Sequence, residues 1–346
     1  MNPTLRFGII GCGTAGHFHA KAIHALDRAL LTAVYDFSAA NARKFAAEYG
    51  AQVFENMEDL LGCPQVDAVC ICTPSGLHAA QALAAVAHKK HVLIEKPLAT
   101  TLEDARLVTE AAKEAGVVVD VVAQLRLSDA VRRIREALAF GKLGTLTLCQ
   151  LDMVYYRSED YYASSPWRGT WKMDGGGAMM NQGIHGMDLL LYLLGPVKRV
   201  FGNVKTMARP IETEDTAAAI LEFENGVVCT VAATTSVYPG SPRCLRICGT
   251  KGTVTLTEDI LTGWSVEGEA REEGGQLDYQ SFSRPDTVPV SAHLRVLQDF
   301  AQAVHTGRSP VSTAVDGFNA VALIKSVYAS SKAGTPQVPD YITPDC

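Results

Sequence analysis

The sequence lacks several patterns that identify other classes of protein. Its 346 residues include nine cysteines but no CxxC pair and no histidine–cysteine cluster with zinc-site spacing, so we expect no metal site. The odd number of cysteines, with Cys70 and Cys72 inside an apolar run, also argues against a closed disulfide framework. A formal net charge of -6 without a long basic run argues against nucleic acid as the main partner.

Long apolar stretches and a leader pattern are missing as well. No apolar run approaches the roughly 20 residues that cross a bilayer, so no membrane partner is expected. The chain enters an apolar strand, LRFGIIG, almost at once, which predicts no signal peptide and a cytoplasmic, reduced protein. His17, His19 and His24 lie close together, but beside glycines at a helix start they are expected to cap or pack.

The chain is longer than the chains that usually form a single hydrophobic core, so two domains are expected. From Leu5 to about Gln124, apolar strands rich in Val, Ile and Cys alternate with segments of helical spacing. This alternation predicts a doubly wound parallel sheet covered by helices on both faces, with ligands at the carboxyl ends of its strands. We place the first domain at residues 1–124 and a second domain at residues 125–346.

A glycine-rich turn follows the first strand in the sequence GIIGCGTAG. Gly11, Gly13 and Gly16 match the GxGxxG pattern, which is weak alone but specific where it follows a strand and opens a helix. Gly11 permits the tight turn, Gly13 leaves room for a pyrophosphate, and Gly16 lets the helix approach the strand. With Thr14 and Ala15 at the helix start, this turn predicts a Rossmann-type dinucleotide site.

Asp36 ends the second strand, where the acid that binds the adenosine ribose belongs. Its carboxylate would accept hydrogen bonds from the ribose hydroxyls and repel a 2'-phosphate. No arginine follows immediately, so NAD is favoured over NADP. The alternative is an aspartate that only caps the next helix.

Three later motifs are more specific: CICTPSGLH, EKPLAT, and DGGGAMMNQGIH. With the glycine-rich turn and in this order, they resemble the Gfo/Idh/MocA oxidoreductases over essentially the whole chain. The resemblance implies an α/β Rossmann domain followed by an α+β domain with a large, open, mostly antiparallel sheet. It also implies a homo-oligomer, a dimer or tetramer, and a C-terminal helix at about 291–306 near the domain junction.

The resemblance further implies roles for individual residues. Lys96 would contact the nicotinamide ribose and the reacting hydroxyl, and His185 would be the catalytic acid/base. Pro97 would follow a cis peptide bond. The remaining expected cofactor contacts are Thr73, Pro74, His78, Glu95 and Gln124.

The chemistry of alcohol oxidation favours one division of labour between Lys96 and His185. A neutral imidazole, with an ordinary pKa of about 6.5, can accept the hydroxyl proton at neutral pH. The Lys96 ammonium can stabilise the developing alkoxide, whereas acting as base requires a large downward pKa shift. We therefore assign His185 as the base; the reverse assignment is the alternative.

Asn181, His185 and Asp188 are spaced to share one face of a helix. Many relatives carry aspartate where this chain has Asn181, which can hydrogen-bond but not hold a proton. Asp188 either orients His185 or marks a solvent-facing turn. The expected substrate contacts, besides Lys96 and His185, are Arg126, Tyr156, Trp167, Arg168, Asn181 and Tyr238.

The resemblance thus implies an NAD-dependent dehydrogenase of a ring secondary alcohol, with the 3-hydroxyl of a glycoside or nucleotide sugar as the leading site of oxidation. One alternative is an inositol or aldose dehydrogenase. A second is a glycoside-cleaving enzyme that oxidises the substrate transiently with tightly held NAD. A third is a sensor that binds NAD and a sugar without catalysis.

Overall fold

The computed structural model describes residues 3–274 and 290–343, which fall into two compact units. The first unit contains residues 3–124 and 290–318 of the described chain, and the second contains residues 125–274 and 319–343. Within these described ranges, no helix has both the length and the apolar character that a membrane span requires.

The first 124 residues alternate between strand and helix as the sequence predicts. The six strands pair in parallel in the order β3-β2-β1-β4-β5-β6, the arrangement of a doubly wound nucleotide-binding sheet. The short elements β3 and α3 were not predicted. The elements are β1 (Leu5–Ile10), α1 (Thr14–His24), β2 (Ala29–Tyr35), α2 (Ala39–Tyr49), β3 (Gln52–Val53), α3 (Met57–Gly62), β4 (Ala68–Ile71), α4 (His78–Ala87), β5 (His91–Ile94), α5 (Leu102–Ala115) and β6 (Val119–Val121).

The second unit is built on an eight-stranded sheet in the order β14-β13-β12-β11-β7-β10-β9-β8. Only β7 and β10 pair in parallel among these strands, so the sheet is mostly antiparallel and the predicted fold class is confirmed. Its elements are α6 (Asp129–Ala139), β7 (Leu146–Val154), α7 (Glu159–Ala163), α8 (Ile184–Leu194), β8 (Val197–Lys205), β9 (Thr216–Phe223), β10 (Val228–Thr234), β11 (Cys244–Gly249), β12 (Gly252–Thr257), β13 (Ile260–Val266) and β14 (Glu272–Glu273).

The two faces of this sheet differ in burial because side chains alternate along each strand. On the buried face, α8 packs closely on β7: a Cβ at Gly186 would lie 2.6 Å from the sulfur of Met153. The opposite face exposes Leu148, Phe201 and Ile220 by 40–52%. The small residue at Gly186 therefore sets how near α8 lies to the sheet.

The last two helices are α9 (Val290–Thr306) and α10 (Ala314–Ala333). The predicted second domain of residues 125–346 is wrong for 290–318, which belongs to the first unit. The apolar face of α9 packs against α1, and the ring of Phe300 lies 6.2 Å from that of Phe7 on β1. Leu297 and Phe300 are fully buried there, so α9 completes the first core.

Replacing Phe300 tests the position of α9 in the first core. We expect Phe300→Ala to lower the free energy of unfolding by about 3–5 kcal/mol, because it leaves a cavity against Phe7. Urea denaturation followed by circular dichroism measures this change. The matched control is Phe37→Ala in the same unit, whose side chain is 98% exposed; equal effects of the two substitutions would contradict the packing described.

Candidate functional site

The glycine-rich turn joins β1 to α1 at the centre of the parallel sheet. Gly11 has φ +99°, and a Cβ there would lie 2.8 Å from the backbone of Cys72, after the neighbouring strand. A Cβ at Gly16 would collide with the carbonyl oxygen of Gly11. At Gly13, by contrast, no described atom lies within 4 Å of the Cβ position, so this part of the turn faces open space.

The N-terminus of α1 faces the same space. Gly13 precedes the helix, so Thr14 and Ala15 lie in the first turn. Among the described residues, no side chain caps this terminus, and the first turn carries no acidic residue. The free backbone N–H groups and the positive end of the helix dipole therefore suit a phosphate group.

Asp36 follows β2 and reaches back to the glycine-rich turn. Its carboxylate accepts hydrogen bonds of 2.8 Å from the backbone N–H of Cys12 and of 2.8 Å from that of Ser38. The N-cap of α2 is Ser38, which accepts from Asn41 N, so the alternative that Asp36 only caps this helix is wrong. Asp36 instead fixes the turn beside which a ribose would lie.

The ends of β4, β5 and β6 bring further predicted residues to this edge of the sheet. Thr73 and Pro74 follow β4, and Lys96 follows β5 and precedes Pro97 in a cis peptide bond, as the resemblance implies. Gln124 follows β6, and its side-chain carbonyl oxygen is buried without a hydrogen-bond partner in the described chain. An acceptor of this kind fits the carboxamide N–H of a nicotinamide.

His78 is 1% exposed and lies beneath the strand ends. Its Nδ1 lies 2.7 Å from the carbonyl oxygen of Pro97, and its Nε2 lies 2.9 Å from that of Thr73. Burial lowers the pKa of this imidazole, while the two carbonyl contacts act in the opposite direction. The expectation that His78 contacts the cofactor is corrected here: the ring joins two loops and offers no nitrogen to a ligand.

Together these features fit NAD. The turn offers space and unpaired amides for a pyrophosphate, Asp36 offers a carboxylate for a ribose, and Gln124 offers an acceptor for a carboxamide. Glu95, another expected cofactor contact, has a protein partner instead. Its carboxylate lies 2.9 Å from Nε2 of the buried His19.

In the second unit, the glycine-rich segment before His185 does not begin a regular α-helix. Ala178–Gln182 forms a π-helical turn, and α8 begins only at Ile184. Asn181 therefore lies in the π-turn rather than in the α-helix that carries His185, and the π-turn changes the rotation per residue. His185 is half-buried and lies in the first turn of α8.

Buried carboxylates hold this segment in place. Glu214 accepts hydrogen bonds of 2.9 Å from the backbone N–H groups of Gly177 and Met179, and 2.8 Å from the hydroxyl of Tyr328. Burial raises the pKa of Glu214 despite these donors. The carboxylate of Asp174 accepts from Gly169 N at 2.9 Å and from the side-chain amide of Asn181. The segment before His185 is thus fixed from both ends.

Arg126 and Asp188, both expected near substrate, pair with each other. Arg126 Nε and one terminal nitrogen donate to the Asp188 carboxylate at 2.9 and 2.6 Å. Both residues are buried, at 5% and 7% exposure. The expectation that Arg126 binds substrate is corrected: its guanidinium ties α8 to the segment before α6. Asp188 does not mark a solvent-facing turn.

Arginine and aromatic side chains surround the π-turn. Arg168 donates to the hydroxyl of Tyr161 at 2.7 Å, and its guanidinium lies 4.6 Å from the ring of Trp167. The Tyr161 hydroxyl also accepts from Gln182, at 2.9 Å, and Gln182 accepts from Arg157 at 2.8 Å. These contacts join Arg168, an expected substrate residue, to Gln182 at the end of the π-turn, three residues before His185.

Tyr156 and Tyr238 form a second aromatic pair, with ring centroids 5.2 Å apart. The guanidinium of Arg209 lies 5.2 Å from the Tyr156 ring, and its buried Nε has no hydrogen-bond partner in the described chain. Tyr238 is 79% exposed. The pair therefore presents aromatic surface beside a cation.

Sequence reasoning missed several residues of this network, namely Arg157, Asp174, Gln182, Arg209 and Glu214. Glu214 lies in the acidic run ETED, which looks like a solvent-exposed turn. The one feature of the sequence that could have indicated Glu214 is its position two residues before the apolar strand β9. Asp174 precedes the three glycines, which was a better signal, since a turn of glycines needs a polar group to fix it.

Two family models match the chain. One, described as an oxidoreductase family with an NAD-binding Rossmann fold, covers residues 5–123, and the other, the GFO/IDH/MocA C-terminal domain, covers residues 131–255. Among solved structures, the WlbA dehydrogenase from Bordetella pertussis in complex with NADH and UDP-GlcNAcA is 31% identical with a TM-score of 0.87, covering 98% of this chain and 100% of that one.

Curated relatives match over similar lengths. The scyllo-inositol 2-dehydrogenase (NAD(+)) of Bacillus subtilis is 27% identical over 326 residues, which are 91% of each chain. The 1,5-anhydro-D-fructose reductase of Ensifer adhaerens is 29% identical over 339 residues, covering 95% of this chain and 97% of the relative.

Asp36 allows a test of cofactor choice. We expect Asp36→Ala to weaken NAD binding by about 10-fold or more, because a hydrogen bond to a charged group contributes roughly 1.5–3 kcal/mol. Discrimination against NADP should fall at the same time, since the carboxylate no longer repels the 2'-phosphate. Fluorescence titration with NADH and NADPH measures both affinities, with Asp27→Ala as a control on the same unit. Unaltered preference for NADH would remove Asp36 from the ribose site.

Proposed function

Because the chain belongs to the Gfo/Idh/MocA oxidoreductase family, we propose that it oxidises a ring secondary alcohol of a sugar with NAD as the hydride acceptor. The leading substrate is the 3-hydroxyl of a glycoside or nucleotide sugar. The observation that carries this proposal is the half-buried imidazole of His185. It follows a glycine turn whose backbone N–H groups donate to buried carboxylates.

The reaction requires two bonds to break at one alcohol. When bound, NAD supplies the nicotinamide C4 that receives the hydride from the carbinol carbon. In our proposal His185 takes the hydroxyl proton on its imidazole, so the C–O bond becomes a carbonyl as the C–H bond breaks. Lys96 holds the reacting oxygen and stabilises its developing negative charge. Reduction reverses each transfer.

An anionic sugar is the substrate class that the arginine-rich surroundings favour. Arg168, Arg157 and Arg209 lie on segments around the π-turn and on neighbouring loops, together with aromatic rings. Guanidinium groups bind carboxylate and phosphate oxygens in pairs, and tyrosine and tryptophan rings pack on sugar faces. The 31% identical WlbA dehydrogenase was solved with UDP-GlcNAcA, which is consistent with this class.

An inositol is the second candidate, because the scyllo-inositol 2-dehydrogenase of Bacillus subtilis matches 91% of this chain. Asn181 argues for the first candidate. Inositol dehydrogenases resemble the version of the motif with aspartate at that position, whereas here the Asn181 amide donates to Asp174.

We also propose that the chain forms a homo-oligomer through the exposed face of its eight-stranded sheet. Leu148, Phe201, Ile220 and Val228 lie on that face, and each is 40–52% exposed. Paired registers place Phe201 beside Ile220 and Val228 beside Leu148, so this face carries two exposed apolar pairs. Apolar patches of this kind are typical of protein interfaces.

The catalytic role of His185 has a direct test. We expect His185→Ala to lower kcat by about 100- to 10,000-fold, the usual contribution of a general base, and to leave NAD affinity nearly unchanged. Stopped-flow measurement of NADH release over glycosides, inositols and UDP-sugars gives kcat, and NADH titration gives affinity. His88→Ala, an exposed histidine, is the matched control.

The same panel separates the other functions. An enzyme of transient oxidation would cleave glycosides while retaining NAD and releasing no net NADH, and a sensor would bind sugar without turnover. Equal loss of NAD binding in His185→Ala would show that the histidine is structural.

Arg168 tests the substrate class. We expect Arg168→Ala to raise KM for carboxylate- or phosphate-bearing sugars by roughly 10- to 100-fold, because a charge-assisted hydrogen bond is lost. KM for neutral glycosides should change little. Initial-rate kinetics on matched uronate and neutral sugars measures the ratio, with the exposed Arg132→Ala as control. A similar KM increase for both substrates would rule out anion recognition by Arg168.

A further inference from the structure

Two histidines from separate helices converge on Glu95, the residue before Lys96. Nε2 of His19, on α1, lies 2.9 Å from Glu95 Oε1, and Nε2 of His293, on α9, lies 3.5 Å from the same oxygen. The two imidazole rings meet edge to face at 5.3 Å. His19 is fully buried, His293 is 5% exposed, and the Glu95 side chain is 14% exposed. We call these three residues the histidine–glutamate cluster.

Burial and the neighbouring side chains act in opposite directions on the pKa values of this cluster. Burial alone would raise the pKa of Glu95, but the two histidines outweigh it and hold the pKa of this carboxyl well below its usual range. Burial lowers the pKa of His19 and Glu95 raises it. The effect of burial is the larger, so the pKa of His19 is lowered. Because Nε2 of His19 lies 2.9 Å from the Glu95 carboxylate, this nitrogen is the donor and carries a proton.

The same three residues have donors that would suit a metal ion, since two imidazoles and a carboxylate lie within 4.8 Å of one another. A metal-bound histidine nearly always donates its other ring N–H to an acceptor. Here Nδ1 of both His19 and His293 is buried, and neither has a partner in the part of the chain that the structure describes. The arrangement therefore favours hydrogen bonds to Glu95 over coordination.

The cluster links three elements of the first unit. His19 lies in α1, whose N-terminus faces the predicted pyrophosphate position, and Glu95 directly precedes Lys96 at the end of β5. His293 lies on α9, and its ring stacks on the ring of Phe18 with centroids 5.1 Å apart. The Glu95 carboxylate therefore connects the segment that carries Lys96 to α1, the helix that would bind phosphate, and to α9.

We propose that His19 and His293 are positioning residues, which act through Glu95 to hold Lys96 in register with the nucleotide-binding helix. This inference rests on the function proposed above, in which Lys96 stabilises the alkoxide. It also changes the role expected for Glu95 from a ribose contact to an anchor.

The first experiment compares two replacements of His19. His19→Leu removes the donor, and we expect kcat to fall by about 10- to 100-fold, the usual effect of misplacing a catalytic group, while KM for NAD changes little. His19→Gln keeps an N–H donor near the position of Nε2 and should restore most of kcat. His24→Leu is the matched control, an exposed histidine at the end of the same helix. Thermal unfolding is measured for every variant.

The second experiment needs no turnover. In apo protein labelled with ¹⁵N-histidine, we expect His19 Nε2 to carry a proton with a downfield-shifted signal and its Nδ1 to be unprotonated. His19→Gln assigns this signal, and Glu95→Gln should move it upfield because the anionic acceptor is lost. An unprotonated Nε2 on His19 would overturn the proposal, whatever the activity.

The remaining outcomes also decide between explanations. If His19→Leu lowers thermal stability but leaves kcat unchanged at saturating NAD, the histidine is structural and the proposal is wrong. It is equally wrong if one Zn²⁺ per chain binds to wild type, restores activity after chelation and fails to bind to His293→Gln. An active His185→Ala variant would refute the proposed function, while the histidine signals would still report on the cluster.

Discussion

The first unit depends on one constraint: all six strands of its sheet run in the same direction. Parallel strands place their carboxyl ends at a common edge, so residues that are far apart in sequence come together there without any long loop. The glycine-rich turn, Thr73, Lys96 and Gln124 each follow a different strand. Each strand end needs only one or two polar residues, because the sheet supplies their relative positions.

Carboxylates also bind backbone amides beside glycines in both units. Asp36 binds the amides of Cys12 and Ser38, and Glu214 binds those of Gly177 and Met179. In each case a carboxyl group accepts from backbone N–H groups that regular secondary structure leaves free. Glycine lets the chain approach closely but leaves it flexible, and the carboxylate removes that flexibility. The two features together allow a close backbone approach in a turn whose conformation is still restrained.

The sequence was sufficient for the alternating first sheet and for the resemblance to the family, both of which are confirmed. It was insufficient where the decisive partner is distant: Arg126 pairs with Asp188, 62 positions away, and no local pattern shows this. The π-turn was missed because a spacing of four fits an ordinary helix equally well. The amphipathic pattern of α9 indicates that one face of this helix is buried. It does not indicate which unit of the protein that face packs against. The catalytic roles of Lys96 and His185 stay predictions.

The first unit is not a contiguous stretch of the chain, and this matters for anyone who rearranges the protein. A fragment that ended after β6 would expose the surface that Leu297 and Phe300 cover and would lack His293. Exchange of cofactor domains between relatives therefore requires two cuts and two grafted segments, and a chimera joined at a single point would combine an incomplete core with an orphaned helix.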